Sequence, residues 1–298
     1  MFQYRYQWNI NDINMKKKIL ECTIILLIVT GFTSCEKIHS DEYRERFLVD
    51  KIYNYDGILI AEYSYDANNR LTKKNITSNL NDKKQSWSAY YDEFEYKDGL
   101  VSKIKHHRYI YYETHLFYNS ENQLIRSEVH IDDGVWKGLW DYLDYHYDNG
   151  RVVRIVHFNL ESSLECNEFN NIKYDNSMNV TQLDYVYPAT SDLGYPIPGE
   201  NKVRTEYFKY DNMLKPNFGI DYLISYDPLP FIEEAEMERC LSKNNMAEFV
   251  GGTTWKYKYD KNGLPSTIEC KWKDFESTDP ATGKPFPMLL RIEYKKAK

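Results

Sequence analysis

Tyr63-Ser-Tyr65-Asp66-Ala-Asn-Asn69-Arg-Leu71 and Tyr145-His-Tyr147-Asp148-Asn149-Gly150-Arg-Val152 decide the fold. Each is an alternating strand ending in tyrosine, a turn of Asp, Asn and Gly, and a second strand entered through an aliphatic residue. Asn and Gly tolerate the positive φ that tight hairpin turns require, and the period-two aromatics on either side supply the strands. Tyrosine suits such strands because its ring packs while its hydroxyl stays wet. The chain holds 28 Tyr against 13 Phe, so the bias runs through the whole sequence of 298 residues.

The unit recurs as Phe94-Glu-Tyr96-Lys-Asp98-Gly99-Leu100, Phe117-Tyr118-Asn119-Ser-Glu-Asn122-Gln-Leu124 and Trp255-Lys-Tyr257-Lys-Tyr259-Asp260-Lys-Asn262-Gly263-Leu264. Fainter copies are Ile172-Lys-Tyr174-Asp175-Asn176-Ser-Met-Asn-Val180 and Tyr207-Phe-Lys-Tyr210-Asp211-Asn212. The anchor tyrosines 65, 96, 118, 147, 174, 210 and 259 are separated by 31, 22, 29, 27, 36 and 49 residues. Irregular spacing means hairpins with variable far-end loops rather than a strict solenoid. Sequential hairpins lie side by side, so the pattern predicts an all-β fold. Its form is an antiparallel meander curling into an open or partly closed sheet over residues 50–298. A two-sheet sandwich split near 188–200 is the competing architecture. Pro228 to Leu241, with prolines first, acids in its opening turn and weak amphipathic spacing, reads as one short helix near 230–242 laid on the sheet. Tyr187 to Glu200, rich in Pro and Gly, reads as a long surface loop.

The Tyr-Asp-x-x-Gly-x-Leu unit resembles the YD repeat of Rhs-type proteins. With Lys215-Pro216-Asn217-Phe218, Lys243-Asn244-Asn245 and the closing strand Leu290-Arg-Ile-Glu-Tyr294, the arrangement is similar to a group of Bacteroidota lipoproteins built from such hairpins. The resemblance spans roughly residues 50–296. It implies a β-rich fold and an envelope location, and it brings no activity with it.

The N-terminus reads as an address. From Met15, three lysines precede an apolar stretch, Thr23 to Phe32, which is well short of the ~20 residues a spanning helix needs. Phe32-Thr33-Ser34-Cys35 resembles a lipobox. Residues 1–34 are thus expected to be a lipoprotein signal peptide, with Met15 as the true start. Residues 35–49 are expected to form a polar tether, with Cys35 the acylated residue that holds the protein to the outer membrane, on its outward face or its inner one. Several acyl chains on one residue anchor far better than one.

Composition narrows the functions. Lys and Arg total 38 against 45 Asp and Glu, for a net charge of −7, and mean hydropathy is −0.69. With no basic run beyond Lys16-Lys17-Lys18, nucleic acid is a poor partner. No G-x-S-x-G elbow, phosphate loop or H-E-x-x-H motif occurs, and no cofactor is expected. Cys166, Cys240 and Cys270 show neither zinc spacing nor a disulfide framework, and at most one bridge could form among them.

Six histidines (106, 107, 115, 130, 146 and 157) crowd one span and, with Asp144 or Glu113, could meet across strands as metal ligands. The plainer reading is solvent-facing strand positions, and His146 must point away from Tyr145 and Tyr147. Asp132-Asp133-Gly134 reads as a turn and Glu233-Glu234 as a helix first turn. Trp87, Trp136, Trp140, Trp255 and Trp272 are the aromatics suited to contact a ligand, although packing on the sheet accounts for them as simply.

The expectation is therefore a lipid-anchored, non-enzymatic envelope protein whose aromatic sheet binds a polysaccharide or another envelope protein. The rival is a glycan or peptide hydrolase with carboxylates assembled from different strands, which needs no sequence motif.

Overall fold

A computed structural model describes residues 46–76, 90–132, 134, 137–159, 166–190, 196–220, 223, 226, 228–229, 236–250, 252–271 and 288–298. Its strands are β1 (Phe47–Tyr53), β2 (Leu59–Tyr65), β3 (Leu71–Ile76), β4 (Tyr90–Lys97), β5 (Leu100–His107) and β6 (Tyr111–Tyr118). There follow β7 (Leu124–Asp132), β8 (Lys137–Asp148), β9 (Arg151–Asn159), β10 (Cys166–Tyr174) and β11 (Val180–Thr190). The last are β12 (Pro196–Leu214), β13 (Asn244–Phe249), β14 (Thr254–Tyr259), β15 (Pro265–Lys271) and β16 (Met288–Lys296), and a short helix, α1 (Glu236–Leu241), precedes β13. Each strand pairs antiparallel with the next, and β16 returns to β1, with Phe47 opposite Lys296 and Ile52 opposite Ile292. The sheet is therefore a closed barrel of sixteen strands, neither open nor partly closed, and not a two-sheet sandwich.

The repeat turns come in two chemistries. Asp98-Gly99 and Asn149-Gly150 are two-residue turns in which both residues have positive φ: 52° and 85°, then 49° and 76°. The others are wider loops closed by a side chain. Asp66 Oδ1 accepts from the backbone N–H of Asn68 and Arg70, and Asp260 Oδ1 accepts from those of Asn262 and Leu264. Asn119 and Asp175 do the same. In each wider loop the third residue after the Asx has positive φ, as at Asn69 and Asn122 (both 62°). This is why Asx opens the turn and Asn or Gly usually closes it.

Past each turn the register slips by one residue beside the anchor tyrosine, as between Ser64 and Tyr65. This bulge carries its own bond: the hydroxyls of Thr72, Ser102, Thr181 and Ser266 donate to the carbonyls of Ser64, Glu95, Lys173 and Lys258. The anchor tyrosines then stitch neighbouring hairpins together. Tyr96 donates its hydroxyl to the Leu71 carbonyl at 2.8 Å, Tyr118 to Val101 at 2.8 Å, Tyr147 to Leu124 at 2.8 Å and Tyr174 to Val152 at 3.0 Å. Tyr65 and Tyr294 continue the ladder onto Val49 and Pro265. Tyr96, Tyr118, Tyr147, Tyr174 and Tyr294 thus each reach the residue at or next to the opening of a neighbouring return strand.

The ladder is interrupted at Tyr210 and at Tyr259, whose hydroxyl donates to Asp211 Oδ2 instead of to a strand carbonyl. Tyr210-Asp211-Asn212 makes no hairpin turn; β12 runs through it, and the chain then enters the barrel. Tyr210 instead faces the Glu238 carbonyl at 3.4 Å, and the Val180 N–H donates to Ser242 Oγ. The interior segment bonds the wall from both sides. The N–H groups of Val49 and Leu71 donate to the carbonyls of Asn217 and Gly219, and the Lys243 N–H donates to the Met178 carbonyl. Phe218 packs on Tyr63, whose hydroxyl donates to the Pro228 carbonyl at 2.8 Å. The expected helix near 230–242 is seen over Glu236–Leu241, with residues 230–235 outside the described residues, and its Glu238, Arg239 and Cys240 are buried. The expected surface loop at 187–200 is mostly strand, with Pro188 opposite Asn201; only 191–195 lie outside the described residues.

Inward positions carry the core: Val49, Ile60, Leu71, Ile104, Ile155, Leu183, Ile268 and Leu290 are almost wholly buried. The outer face alternates with them and carries charge across neighbouring strands. Lys51 pairs with Glu62, Lys103 with Glu113, Arg126 with Asp144, Arg154 with Glu168 and Lys209 with Glu248.

Candidate functional site

The barrel register brings three polar side chains together on the inner wall. Asp92 of β4 stands opposite His106 of β5, and Thr114 of β6 lies beside them. His106 Nδ1 is 2.9 Å from Asp92 Oδ1, and its Nε2 is 3.0 Å from Thr114 Oγ1. Asp92 is fully buried and the other two nearly so. Burial pushes the Asp92 carboxyl up, but the His106 hydrogen bond and the charges of His106, Lys74 and Arg108 outweigh it and hold the group below its ordinary range. Burial holds the His106 imidazole below its ordinary value as well. An ionised Asp92 only accepts, so the proton of a neutral His106 sits on Nδ1, and Thr114 donates to Nε2. Arg108 donates to Asp92 Oδ1 at 2.5 Å and Tyr226 to its Oδ2 at 2.9 Å.

An alcohol, a base and an orienting carboxylate in this order have the connectivity of an activated nucleophile. The same groups also meet the demand that buried polar atoms be paired. The His106 ring is stacked on Tyr112 at 4.2 Å, and the Tyr226 ring lies tilted against it at 6.1 Å.

The histidines singled out from the sequence divide between the two faces. His106 and His157 point inward, and His157 Nε2 lies 2.8 Å from Asp141 Oδ2. His107, His115, His130 and His146 point outward, the last away from Tyr145 and Tyr147. Among the described residues no group of three or more His, Cys, Asp or Glu is placed to hold a metal ion. Trp255 is buried inside the barrel at 3% exposure, with the Arg239 guanidinium 5.9 Å from its ring, and it offers no surface to a ligand. Trp140 is half-buried on β8. Trp87, Trp136, Trp272, Cys35 and Glu233-Glu234 lie outside the described residues. Cys240 and Cys270 are both buried, as thiols rather than as a disulfide.

Away from the interior segment the inner wall becomes more accessible. On β8 it passes from buried Tyr145 to half-buried Leu143 and Asp141, and on β11 from buried Leu183 to half-buried Tyr185 and Tyr187. Phe169 meets Tyr185 edge-on at 5.0 Å, and Tyr187 lies 5.6 Å along. The outer aromatics are arranged differently, because their faces are taken up by neighbours. Tyr91 has Lys73 over its ring at 3.8 Å and stacks on His107 at 4.1 Å; Tyr142 lies between Arg126 at 4.3 Å and Phe158 at 5.0 Å.

The sequence matches no family model and no curated protein. Among solved structures, a porin-like protein from Bacteroides vulgatus is similar over 83% of this chain and 98% of its own, at 11% identity and a TM-score of 0.34. One from Bacteroides uniformis is similar over 84% and 97%, at 11% identity and a TM-score of 0.33. A Photorhabdus luminescens Tc holotoxin pore chain matches over 80% of this chain and 11% of its own, at 13% identity and a TM-score of 0.20. Likenesses this distant carry no weight in the function proposed below.

Proposed function

We propose that the chain is a lipid-anchored protein of the bacterial outer membrane, tethered through Cys35, and that its barrel is a non-enzymatic module binding a polysaccharide or another envelope protein. The observation that carries this reading is the charged outer face. A barrel that spans lipid needs an apolar outer band about 25 Å tall, and each Lys or Arg at the midplane costs about 2–4 kcal/mol. Ion pairs such as Lys103–Glu113, Arg126–Asp144 and Arg154–Glu168 belong in water. Such a barrel needs a hold on the membrane from elsewhere in the chain, and the lipobox-like Phe32-Thr33-Ser34-Cys35 would supply it. The inner wall of Phe169, Tyr185 and Tyr187 is the surface best suited to a ligand, since its rings are half-exposed.

Metabolic labelling with a clickable fatty acid tests the anchor. Wild type should label and Cys35→Ala should not; equal labelling of both ends the idea. A glycan array and a pull-down with residues 36–298 test binding, with Tyr185→Ala and Tyr187→Ala expected to lose it.

The relay favours a second reading, an envelope glycan or peptide hydrolase using Thr114, His106 and Asp92. Silence on both binding assays, together with turnover of a glycan or peptide library that disappears in Thr114→Val, would replace the binding reading with this one.

A further inference from the structure

We propose that the inner wall takes an uncharged sugar ring, seated on Tyr185 with one of its hydroxyls donating to Glu206. This rests on the binding role proposed above and gives it a place and a ligand chemistry: a neutral oligosaccharide, not an acidic one and not a protein. The unsatisfied atom is the starting point. Glu206 Oε1 is buried and meets no hydrogen-bond donor among the described residues. Arg204 Nη2 lies 2.5 Å away and offsets its charge, without the geometry of a hydrogen bond. Buried acceptors are as a rule paired, so this one is suited to a donor that comes from outside the chain. A water would serve while the site is empty, and a ligand hydroxyl can displace it.

The register supplies the platform beside it. Leu183 stands opposite Glu206 and Tyr185 opposite Arg204, so Tyr185 is the diagonal neighbour of Glu206 on the inner face. The half-exposed Tyr185 ring has Phe169 edge-on at 5.0 Å and Tyr187 5.6 Å along the strand. The Arg204 guanidinium lies 5.5 Å from the same ring, and its side chain is 63% exposed against 12% for Glu206, so the acceptor lies deeper than the cation beside it. A sugar ring has an apolar C–H face that packs on an aromatic ring and hydroxyls at its edge that donate, and this wall offers a partner for each. Beyond Phe169 the His157–Asp141 pair forms a second polar edge, because Phe169 stands opposite Ile155 and His157 is the next inward residue of β9.

Charge selects against acidic sugars. The inward side chains of this band that carry charge are Asp141 and Glu206 against Arg204 and Lys202, the last opposite Tyr187. They cancel, and Arg204 already faces Glu206. A uronate or a sulfate ester thus gains no net attraction here and brings a second negative charge beside Glu206.

Isothermal titration calorimetry of the full chain tests this with neutral oligosaccharides (glucan, mannan, xylan and galactan) and with uronic acid oligosaccharides of the same length. Neutral members should bind, and acidic ones at least about tenfold more weakly. Glu206→Ala should weaken neutral binding at least about tenfold, as expected for loss of a hydrogen bond to a charged group. Tyr185→Ala should do the same, while Tyr185→Phe, which keeps the ring, should stay within about threefold of wild type. Tyr142→Ala, whose ring is flanked by Arg126 and Phe158 on the outer face, should bind as wild type does. Neutral binding that Glu206→Ala leaves unchanged overturns this site while the polysaccharide reading stands, and so does a preference for the acidic sugars. Binding of no saccharide by wild type overturns both. Should Glu206→Ala not fold, neutral binding that survives Tyr185→Ala overturns the site as well.

Discussion

Tyr118 shows what the abundance of tyrosine is for. Its ring packs against the core while its hydroxyl meets the Val101 carbonyl of the hairpin before, a bond that phenylalanine cannot make. Tyr118→Phe keeps the ring and leaves that carbonyl without its tyrosine partner. Chemical denaturation should therefore show a loss of about 1–3 kcal/mol. Phe117→Tyr, on the outer face, should change stability little. Asp92 is the costlier position, because Arg108, His106 and Tyr226 all bond to it. Asp92→Ala should cost about 3–5 kcal/mol by stranding its buried partners. Glu113 sets a pH dependence. Burial raises its carboxyl, but bonds from Lys103, Tyr111 and His115 outweigh that and bring it down to about 2. The stability it contributes is complete above the ordinary carboxylate range and is lost as pH falls from about 4.5 toward 2. Wild type should thus lose more melting temperature than Glu113→Gln between pH 5 and pH 3, and identical losses would contradict this.

The hairpin is the level at which the sequence was legible. Asx and Gly turn chemistry is local, so Asp98-Gly99 and Asn149-Gly150 declare their turns without help from the rest of the chain. The copy at Tyr53-Asn54-Tyr-Asp-Gly57 escaped the repeat reading, although Asn54 Oδ1 accepts from the N–H of Asp56 and Ile58 as the other Asx turns do. Aligning Asn54 with Asp66 would have found it. The same local signal misled at Tyr210-Asp211-Asn212, where the following Lys215-Pro216 leads the chain inward. The relay was harder to see because Asp92, His106 and Thr114 are joined only by register. Counting back from the 98–99 turn, with one residue allowed for the bulge, would have set Asp92 opposite His106. Two glycines separate turn strain from packing. At Gly150, with φ of 76°, an added Cβ meets open space, so Gly150→Ala should cost about 1–2 kcal/mol from conformation alone. At Gly219, with φ of 67°, the same atom would come within 2.3 Å of the Asn69 carbonyl oxygen and 2.9 Å of the Tyr65 ring. Gly219→Ala should be far more disruptive, and equal effects in thermal melts would contradict the seating of the interior segment.

Closure belongs to the whole molecule, and no local pattern announces it. Curling was expected from the meander, but the pairing of Phe47–Tyr53 with Met288–Lys296 joins the two ends of the fold and depends on strand number and stagger together. Removing residues 288–298 should unpair β1 and β15 at once and abolish cooperative unfolding. Closure also gives the chain one inside and one outside, with the buried aliphatic residues turned in and cross-strand ion pairs such as Lys103–Glu113, Arg126–Asp144 and Arg154–Glu168 turned out. That polarity separates a barrel standing in water from one standing in lipid. The most direct test is to purify residues 36–298, without Cys35, in buffer free of detergent. A barrel with this outer face should be a soluble, β-rich species that melts cooperatively and does not partition into liposomes. Aggregation that only detergent relieves, or stable insertion into the liposomes, would contradict it.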